Sequence, residues 1–330
     1  MATLLIKIGL YAGKLIKIFG PLSVQLLGII QNLKYYIVNF FKYSKNKSIK
    51  NEQSAGNLTK NTFLNFNSNL LIPKDLHISD HLKKHTRPKT DEEIGFYLAG
   101  LIESSGNFEN NNLEIIFNIK DTFLAYFIKK QLGYGSVKKL TPLNLVKYVL
   151  THPDGLIKLL NLVNGKFLTN KIINQLLKYN LDNKFNIAIL PPSSFDLKKN
   201  YWLTGFSEAE GFFNIKSDLI KHNDKNIKSD FNLRLEFLIK QSNNEILKLI
   251  KENFGGNIYY LESEQIFCYN TIDFKSTKNI IDYFDKFQLN SSKFIKFIKW
   301  RKIYRVIQRN EHLTLNGLKK ITKTKEDLRD

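Results

Sequence analysis

Apolar residues recur at helical spacing over residues 94–105 (IGFYLAGLIESS), and this spacing predicts a helix. A second stretch of the same kind follows at residues 200–210 (NYWLTGFSEAE), about a hundred residues further along the chain. Small residues occupy matching positions in both stretches, with Gly100 in the first and Gly205 in the second, where two helices could approach closely. A pattern that occurs twice in this way indicates a duplicated domain.

The elements that follow each stretch come in the same order. In the first copy we predict helix 94–105, strands 107–108 and 113–119, helix 121–132, strands 136–140 and 143–151, and helix 155–164. In the second copy we predict helix 200–210, strands 212–217 and 231–240, helix 243–253, strands 257–261 and 265–271, and helix 275–287. Glycine turns at 133–135 and 255–256 occupy equivalent places. The sequence therefore predicts an α+β fold built from two pseudo-symmetric αββαββα repeats.

The segments outside the repeats differ in composition. Residues 1–50 are apolar, carry eight lysines and contain no acidic residue, whereas residues 51–92 form a polar linker and lead-in. The longest uncharged run, Ile18–Leu33, has 16 residues, fewer than the roughly 20 of a typical membrane-spanning helix. Three interpretations stay open for this N-terminal extension: a membrane-surface or targeting segment, sequence encoded by an upstream exon, or a single membrane span.

A formal net charge of +20 predicts a polyanionic partner, either nucleic acid or an anionic membrane surface. Lysine outnumbers arginine by 44 to 6, and asparagine and isoleucine are abundant, as the AT-rich coding of an organelle genome would produce. The single cysteine, Cys268, excludes an intramolecular disulfide framework, and we expect it to be a core residue in a strand. The chain has no glycine-rich phosphate-binding loop of the P-loop or Rossmann type.

Three histidines, His77, His81 and His85, are spaced so that one face of a helix could present them to a transition metal. The alternative is a solvated basic turn that leads into the first repeat. We favour the turn, because Pro88 would end any helix here.

The two nonapeptides Leu98–Gly106 (LAGLIESSG) and Leu203–Gly211 (LTGFSEAEG) resemble the motifs of the LAGLIDADG homing endonucleases and group I intron maturases, in their single-chain, two-motif form. The resemblance covers residues 77–322. It implies that the motif helices pack side by side at a pseudo-two-fold axis, beneath a saddle-shaped surface that binds nucleic acid. The corresponding divisions are an N-terminal extension (1–50), a linker and lead-in (51–92), the first repeat (93–197), the second repeat (198–311) and a basic C-terminal tail (312–330).

The polar faces of the strands are where the resemblance places nucleic acid. Along 231–240, leucine, phenylalanine and isoleucine alternate with polar residues, so one face belongs to the core and the other carries side chains suited to base edges and phosphates. The predicted nucleic-acid-binding residues are Asn232, Arg234, Glu236, Lys240 and Lys120. The basic stretch 292–310 is predicted to be a helix whose apolar side packs on the second repeat, and its charges are either solvated or in contact with phosphates.

In this family the eighth residue of each motif presents a carboxylate to metal ions at the DNA. Glu210 fills that position in the second motif and is the predicted metal ligand, whereas the first motif has Ser105, a degenerate position that carries no charge. Glu103 and Glu208 occupy the sixth position, about 200° away around the helix, and are predicted to lie on the outer face or to support the helices. Glu109 is a remote substitute.

The resemblance also implies polar residues near the scissile phosphates. Gln241 closes the second strand of the second repeat, and Lys120 or Asp121 lies in the corresponding zone of the first. Lys171 and Lys293 occupy matching places after the last β–α segments, where the family has a central basic residue. Together with Glu210 and Ser105, the residues Gln241, Lys171 and Lys293 make up the predicted catalytic set.

These residues support several functions. The first is a maturase that binds its group I intron RNA, with an endonuclease that is impaired or nicks one strand. The alternatives are an active Mg²⁺-dependent homing endonuclease that cleaves a double-stranded DNA site, and a structural RNA-binding subunit of an organellar assembly. We expect Mg²⁺ only if nuclease activity is retained. A monomer is expected, in mitochondria, with inner-membrane association through residues 1–50 as a further possibility.

Overall fold

A computed structural model describes residues 71–220 and 230–329. The N-terminal extension, the linker up to residue 70 and the tip of the hairpin at 221–229 lie outside the described residues, and so do the expectations made for them. Within the described ranges, every helix is too short or too polar to cross a membrane.

Both repeats are present and have the same order of elements. The first contains α1 Asp91–Ser105, β1 Gly106–Glu109, β2 Asn112–Asn118, α2 Thr122–Leu132, β3 Ser136–Leu140, β4 Leu145–Leu150 and α3 Pro153–Val163. Two helices that the sequence did not predict follow it, α4 Asn170–Lys178 and α5 Leu181–Phe185. The second contains α6 Trp202–Glu210, β5 Gly211–Ile220, β6 Asp230–Gln241, α7 Glu245–Phe254, β7 Asn257–Leu261, β8 Ile266–Asn270 and α8 Phe274–Lys286. Helices α9 Lys293–Gln308 and α10 Leu315–Arg329 follow.

Each repeat folds its four strands into one antiparallel sheet. The strand orders are β1-β2-β4-β3 and β5-β6-β8-β7, so the second hairpin of each repeat pairs with the inner strand of the first. The predicted glycine turns are found where α2 and α7 end. Gly133 and Gly255 both have positive φ, 83° and 78°, a conformation that glycine adopts without steric strain.

The motif helices pack against each other in the core of the described residues. Helix α1 begins at a capping box, in which the Thr90 side chain accepts a hydrogen bond from the Glu93 amide and the Glu93 carboxylate accepts one from the Thr90 amide. Helix α6 is buried around its whole circumference over its first seven residues, as expected for a helix enclosed by other elements.

The last two helices and the lead-in pack on the second repeat. Helix α9 buries Phe297, Trp300 and Ile303 as predicted, and the Trp300 indole donates to the Asn214 carbonyl oxygen at 3.1 Å. Three of its basic side chains pair with acids of the protein, Lys299 with Asp327, Arg301 with Asp285 and Arg305 with Asp80, and Arg309, just after the helix, also pairs with Asp80.

The segment predicted as a basic tail, 312–330, contains helix α10. This helix packs against α9 and β5, and it buries Ile321 and Leu328. The amine of Lys325 donates to the carbonyl oxygen of Ser217 at 3.0 Å, which fastens the helix to strand β5.

Candidate catalytic centre and nucleic-acid interface

Helices α1 and α6 touch through their backbones at the third position of each motif. A Cβ atom at Gly100 would lie 2.0 Å from the Trp202 carbonyl oxygen, and one at Gly205 would lie 1.9 Å from the Tyr97 carbonyl oxygen. Real Cβ atoms do not come this close to an oxygen, so only glycine permits this approach. The reciprocal contacts hold the two motif helices in a close, pseudo-symmetric pair.

The eighth motif residue ends each helix. The hydroxyl of Ser105 donates to the Leu101 carbonyl oxygen at 3.2 Å, in the last turn of α1. Glu210 is the last residue of α6 and is half-buried. Burial raises the pKa of the Glu210 carboxyl, and the positive charges of Lys293 and Lys171 lower it part of the way back. Glu210 therefore lies close to lysines from both repeats.

The two lysines are attached to the motif helices in similar ways. The Lys171 amine donates to the Glu103 carbonyl oxygen at 3.1 Å, near the end of α1. The Lys293 amine donates to the carbonyl oxygens of Ser207 at 3.1 Å and Ala209 at 2.7 Å, near the end of α6. Lys171 is the second residue of α4 and Lys293 is the first residue of α9, so each repeat directs one ammonium group to the end of its own motif helix.

The sixth-position glutamates are buried anchors. Glu103 is 1% exposed and accepts hydrogen bonds from the amides of Leu168 and Thr169 and from the Thr169 hydroxyl, at 2.5 to 2.9 Å. Glu208 is 5% exposed and accepts from the amides of Asn290 and Ser291 at 2.6 and 3.2 Å. Of the two expected places, the outer face or a supporting position, the burial and hydrogen bonds of both residues agree with a supporting position. Each glutamate fixes the loop that delivers Lys171 or Lys293.

Charges from several elements surround Lys293. Burial lowers the pKa of its amine to about 8, and the carboxylates of Glu208, Glu210 and Asp121 limit that fall, while Lys296 adds to it. The carboxylate of Asp121, from the first repeat, accepts a hydrogen bond from the Ser292 amide at 2.7 Å, immediately before α9. The start of α9 is therefore held by both repeats.

The remaining predicted residues lie on the strands or next to them. Gln241 is half-buried at the end of β6, and Lys120 is exposed in the turn before α2. Arg234 is exposed on β6, whereas the side chain of Asn232 lies outside what the structure describes. Glu109 is exposed at the end of β1.

Glu236 is not available to base edges in this arrangement. Its side chain lies on the predicted polar face of β6 but is only 4% exposed. One carboxylate oxygen accepts from the Lys216 amine at 3.0 Å, and the other accepts from the Asn214 amide at 3.3 Å. Alternation correctly predicted its face, but could not predict that its neighbours on β5 would cover it.

Lysine–glutamate pairs recur on the open faces of both sheets. Lys240 pairs with Glu264 at 2.7 Å in the second repeat, and Lys147 pairs with Glu114 at 3.0 Å in the first. Part of the positive charge on these faces is therefore neutralised within the protein. A phosphate would have to compete with a carboxylate for each of these amines.

Cys268 is fully buried in strand β8, as predicted for a core residue in a strand. It pairs in register with Lys240 on one side and Tyr259 on the other, while its neighbour Tyr269 points into the core. Successive residues of a strand face opposite sides of the sheet. Cys268 therefore lies on the face of the sheet that carries Lys240 and Tyr259, where its side chain is fully buried.

The three N-terminal histidines do not share a helical face, because residues 77–85 form no helix. The Nε2 atoms of His77 and His85 hydrogen-bond to the carbonyl oxygens of Ile72 and Leu289, at 3.3 and 2.9 Å. No group of three or more histidine, cysteine, aspartate or glutamate residues that could hold a metal is found in the described part of the chain. The favoured interpretation, a turn leading into the first repeat, agrees with this conformation.

Two four-stranded sheets, each attached to the end of one of two glycine-packed helices, define a two-motif α+β fold. Residues 203–304 match the family model described as LAGLIDADG endonuclease. An uncharacterised cox1 intron-2 37.2 kDa protein of Schizosaccharomyces pombe is 39% identical over 300 residues, which cover 89% of this chain and 88% of that protein. This chain belongs to the LAGLIDADG family of intron-encoded endonucleases and maturases.

Other relatives differ in what their names say they do. The intron-encoded DNA endonuclease aI3 of Saccharomyces cerevisiae is 27% identical over 277 residues, covering 68% of this chain and 67% of that protein. The intron-encoded RNA maturase bI4 of the same organism is 29% identical over 241 residues, covering 69% of this chain but only 35% of that protein. The first activity is cleavage of DNA and the second is maturation of RNA.

Solved structures share the fold. The I-SmaMI LAGLIDADG homing endonuclease bound to cleaved DNA superposes with a TM-score of 0.55 at 21% identity, over 71% of this chain and 96% of that one. The I-GzeII homing endonuclease in complex with its DNA target gives a TM-score of 0.54 at 20% identity, over 70% and 97%. The predicted α+β fold of two repeats is thereby confirmed.

Proposed function

We propose that this protein is a maturase that binds its group I intron RNA and assists splicing, with an impaired endonuclease. One observation carries the proposal: Ser105 stands where the first motif needs a carboxylate, opposite Glu210 in the second. With Lys171 and Lys293 nearby, the centre has two ammonium groups and one motif carboxylate. Such a centre attracts phosphates but provides little charge for holding divalent ions.

The donor set does not fit a pair of Mg²⁺ ions. When bound, paired ions would supply an activated water and a Lewis acid at the phosphate. Glu210 together with phosphate oxygens could hold one ion, since Mg²⁺ commonly combines one or two carboxylates with phosphates. Ser105 offers only a neutral hydroxyl, which already donates to the Leu101 carbonyl oxygen. A second ion would therefore have no carboxylate ligand from the motifs.

Binding to RNA does not need that missing charge. The proposed contacts are Arg234, Asn232 and Lys240 on the second sheet and Lys120 on the first repeat, while Lys171, Lys293 and Gln241 lie nearer the centre. Glu236 has a different part in this proposal, because it holds the amine of Lys216 in place. The relative named RNA maturase bI4 supports the assignment to RNA.

The test compares the full chain with its Glu210→Gln variant in a splicing reaction on precursor RNA that contains the host intron. We expect both proteins to bind the precursor and to accelerate splicing equally, because splicing assistance requires no carboxylate at this position. Glu252→Gln, an exposed substitution on α7, is the matched control. If the unmodified chain neither binds the precursor better than an unrelated RNA nor accelerates its splicing, the proposal is wrong.

Retention of Glu210 and both lysines favours a second candidate, an endonuclease that nicks one strand. One complete half of the centre would act on one scissile phosphate, and the half with Ser105 would leave the other intact. Supercoiled DNA with the uninterrupted host-gene site would then yield open circles. The Glu210→Gln variant should abolish those circles if the candidate is correct.

We further propose a mitochondrial location. The supporting observations are the lysine-rich, AT-type composition and the relative named for a cox1 intron. Association with the inner membrane through residues 1–50 stays a prediction. Detection of the tagged chain in a carbonate-resistant membrane fraction of isolated mitochondria would support that association, and complete release would argue against it.

A further inference from the structure

Helix α2 exposes two aromatic side chains on its outer side. Phe123 is 44% exposed and Tyr126 is 52% exposed, and the spacing of three residues places both on one face. Lys130 continues this face one turn later and is also exposed. We call Phe123, Tyr126 and Lys130 the α2 outer face.

The internal duplication shows that the fold does not require these rings. Helices α2 and α7 both end at a glycine with positive φ, Gly133 and Gly255. Counted back from those glycines, their buried positions coincide, namely Leu124, Ala125, Ile128 and Leu132 in α2 with Ile246, Leu247, Ile250 and Phe254 in α7.

In that alignment the two exposed rings correspond to charged residues. Phe123 corresponds to Glu245, and Tyr126 corresponds to Lys248, both exposed. The same structural position therefore accepts ordinary surface residues in the second repeat. Large apolar side chains that are exposed at these positions of α2, but absent from the equivalent positions of α7, are more typical of a binding surface than of packing.

Basic residues lie on the same helix and beside it. Helix α2 contains no acidic residue, and both Lys129 and Lys130 are exposed near its C-terminal end. The guanidinium of Arg87 lies 5.5 Å from the centre of the Phe127 ring, on the half-buried side of the same helix. Cations beside exposed rings suit a chain of phosphates that carries unpaired bases.

We propose that the α2 outer face binds a single-stranded segment of RNA, with unpaired bases stacked on Phe123 and Tyr126 and the backbone near Lys129, Lys130 and Arg87. This inference rests on the proposed maturase function and adds a second contact area for the intron. Duplex DNA is excluded as the occupant, because its bases are stacked inside the helix and cannot lie on exposed rings. Unpaired loops of a folded intron offer such bases.

The experiment uses the full chain and a double variant, F123E/Y126K, which carries the residues found at the equivalent positions of α7. This variant leaves the net charge unchanged. The probes are host-intron precursor RNA, a fluorescein-labelled single-stranded 12-mer of uridine, and duplex DNA with the uninterrupted site. Each lost ring should weaken the binding of both RNAs roughly tenfold. The affinity for the DNA duplex should stay unchanged. The ring-preserving variant F123Y/Y126F should bind like the unmodified chain.

Fluorescence quenching tests directly whether bases stack on the α2 outer face. A Y126W variant should keep RNA affinity, and its new indole fluorescence should be quenched by the 12-mer, whereas the described tryptophans Trp202 and Trp300 are buried. Lys248→Ala on α7, at the position equivalent to Tyr126, is the matched control and should leave the affinity for RNA unchanged.

The results distinguish failure of this inference from failure of the proposed function. Equal RNA binding by the unmodified chain and F123E/Y126K overturns this inference but leaves the proposed function standing. Failure of the unmodified chain to bind precursor RNA refutes the proposed function instead. Equal loss on RNA and duplex would indicate general damage and also overturn the inference. Self-association that F123E/Y126K abolishes, with RNA binding intact, would assign the face to a protein contact.

Discussion

Replacing Glu208 should damage the molecule even though the residue does not belong to the predicted catalytic set. Its carboxylate accepts three hydrogen bonds, from the amides of Asn290 and Ser291 and from the Tyr97 hydroxyl at 3.0 Å. It also lies beside Lys293 and limits the fall of that amine's pKa. Removing the carboxylate would release the start of α9 and the central lysine together.

The magnitude follows from these contacts. In Glu208→Ala, two buried amides and one buried hydroxyl lose their acceptor, and each unsatisfied buried group costs about 1–3 kcal/mol. After partial relaxation we expect a loss of about 4 kcal/mol in the free energy of unfolding. Glu208→Gln keeps one acceptor oxygen and should lose about half as much.

Urea unfolding of the full chain, followed by tryptophan fluorescence, measures this loss. With a slope of about 3 kcal/mol per molar urea, the midpoint of Glu208→Ala should fall by a little over 1 M. Glu252→Ala, an exposed glutamate on α7, should leave the midpoint almost unchanged. A loss below about 1 kcal/mol for Glu208→Ala would refute the anchoring role.

Three further predictions concern the helix pair, the open faces and the central lysine. Gly205→Ala would place a Cβ atom 1.9 Å from the Tyr97 carbonyl oxygen, so it should lower the urea-unfolding free energy by about 3 kcal/mol or more. The double variant Glu114→Gln/Glu264→Gln would release the amines of Lys147 and Lys240 from their carboxylate partners. Its affinity for nucleic acid should therefore rise. The slope of log affinity against log salt concentration, measured by titration, should steepen by roughly one unit per added phosphate contact. Lys293 has a pKa of about 8, so the affinity for nucleic acid should fall roughly fivefold between pH 7 and 9 as that amine loses its proton. The affinity of Lys293→Arg should not depend on pH in this range. An equal decline in both proteins would contradict this assignment.

The same lowered pKa has a consequence for stability, with a definite sign. Above about pH 8 the folded chain releases the Lys293 proton, whereas an unfolded chain keeps it up to about pH 10. Because the unfolded state binds more protons in that window, this group's contribution to stability increases as pH rises through it.

The repeated motif and the alternation of apolar residues were enough to predict the order of elements in both repeats. Strand pairs and glycine turns depend on local patterns, so their bounds differ from prediction by only a few residues. Helix α4 was missed although Asn170–Lys178 has a strongly amphipathic pattern and Thr169 caps its N-terminus. The helix is only nine residues long, so its local pattern is short.

What the sequence could not provide was the partner of each polar side chain. Alternation placed Glu236 on the polar face of its strand, but its burial depends on Lys216, which lies on a neighbouring strand. The anchoring role of Glu103 likewise depends on the loop at Thr169, 66 residues away along the chain. Such pairings are tertiary facts, and no local pattern encodes them.

A cleavage assay with Mg²⁺, on supercoiled DNA that carries the uninterrupted host-gene site, tests the impaired catalytic centre directly. The full chain is compared with Ser105→Asp, which restores a carboxylate at the end of α1, and with the double variant Ser105→Asp/Glu210→Gln. We predict linear product from Ser105→Asp alone, and at most open circles from the unmodified chain. Linear product from the unmodified chain at the rate of Ser105→Asp would show that one motif carboxylate suffices, and would contradict the account.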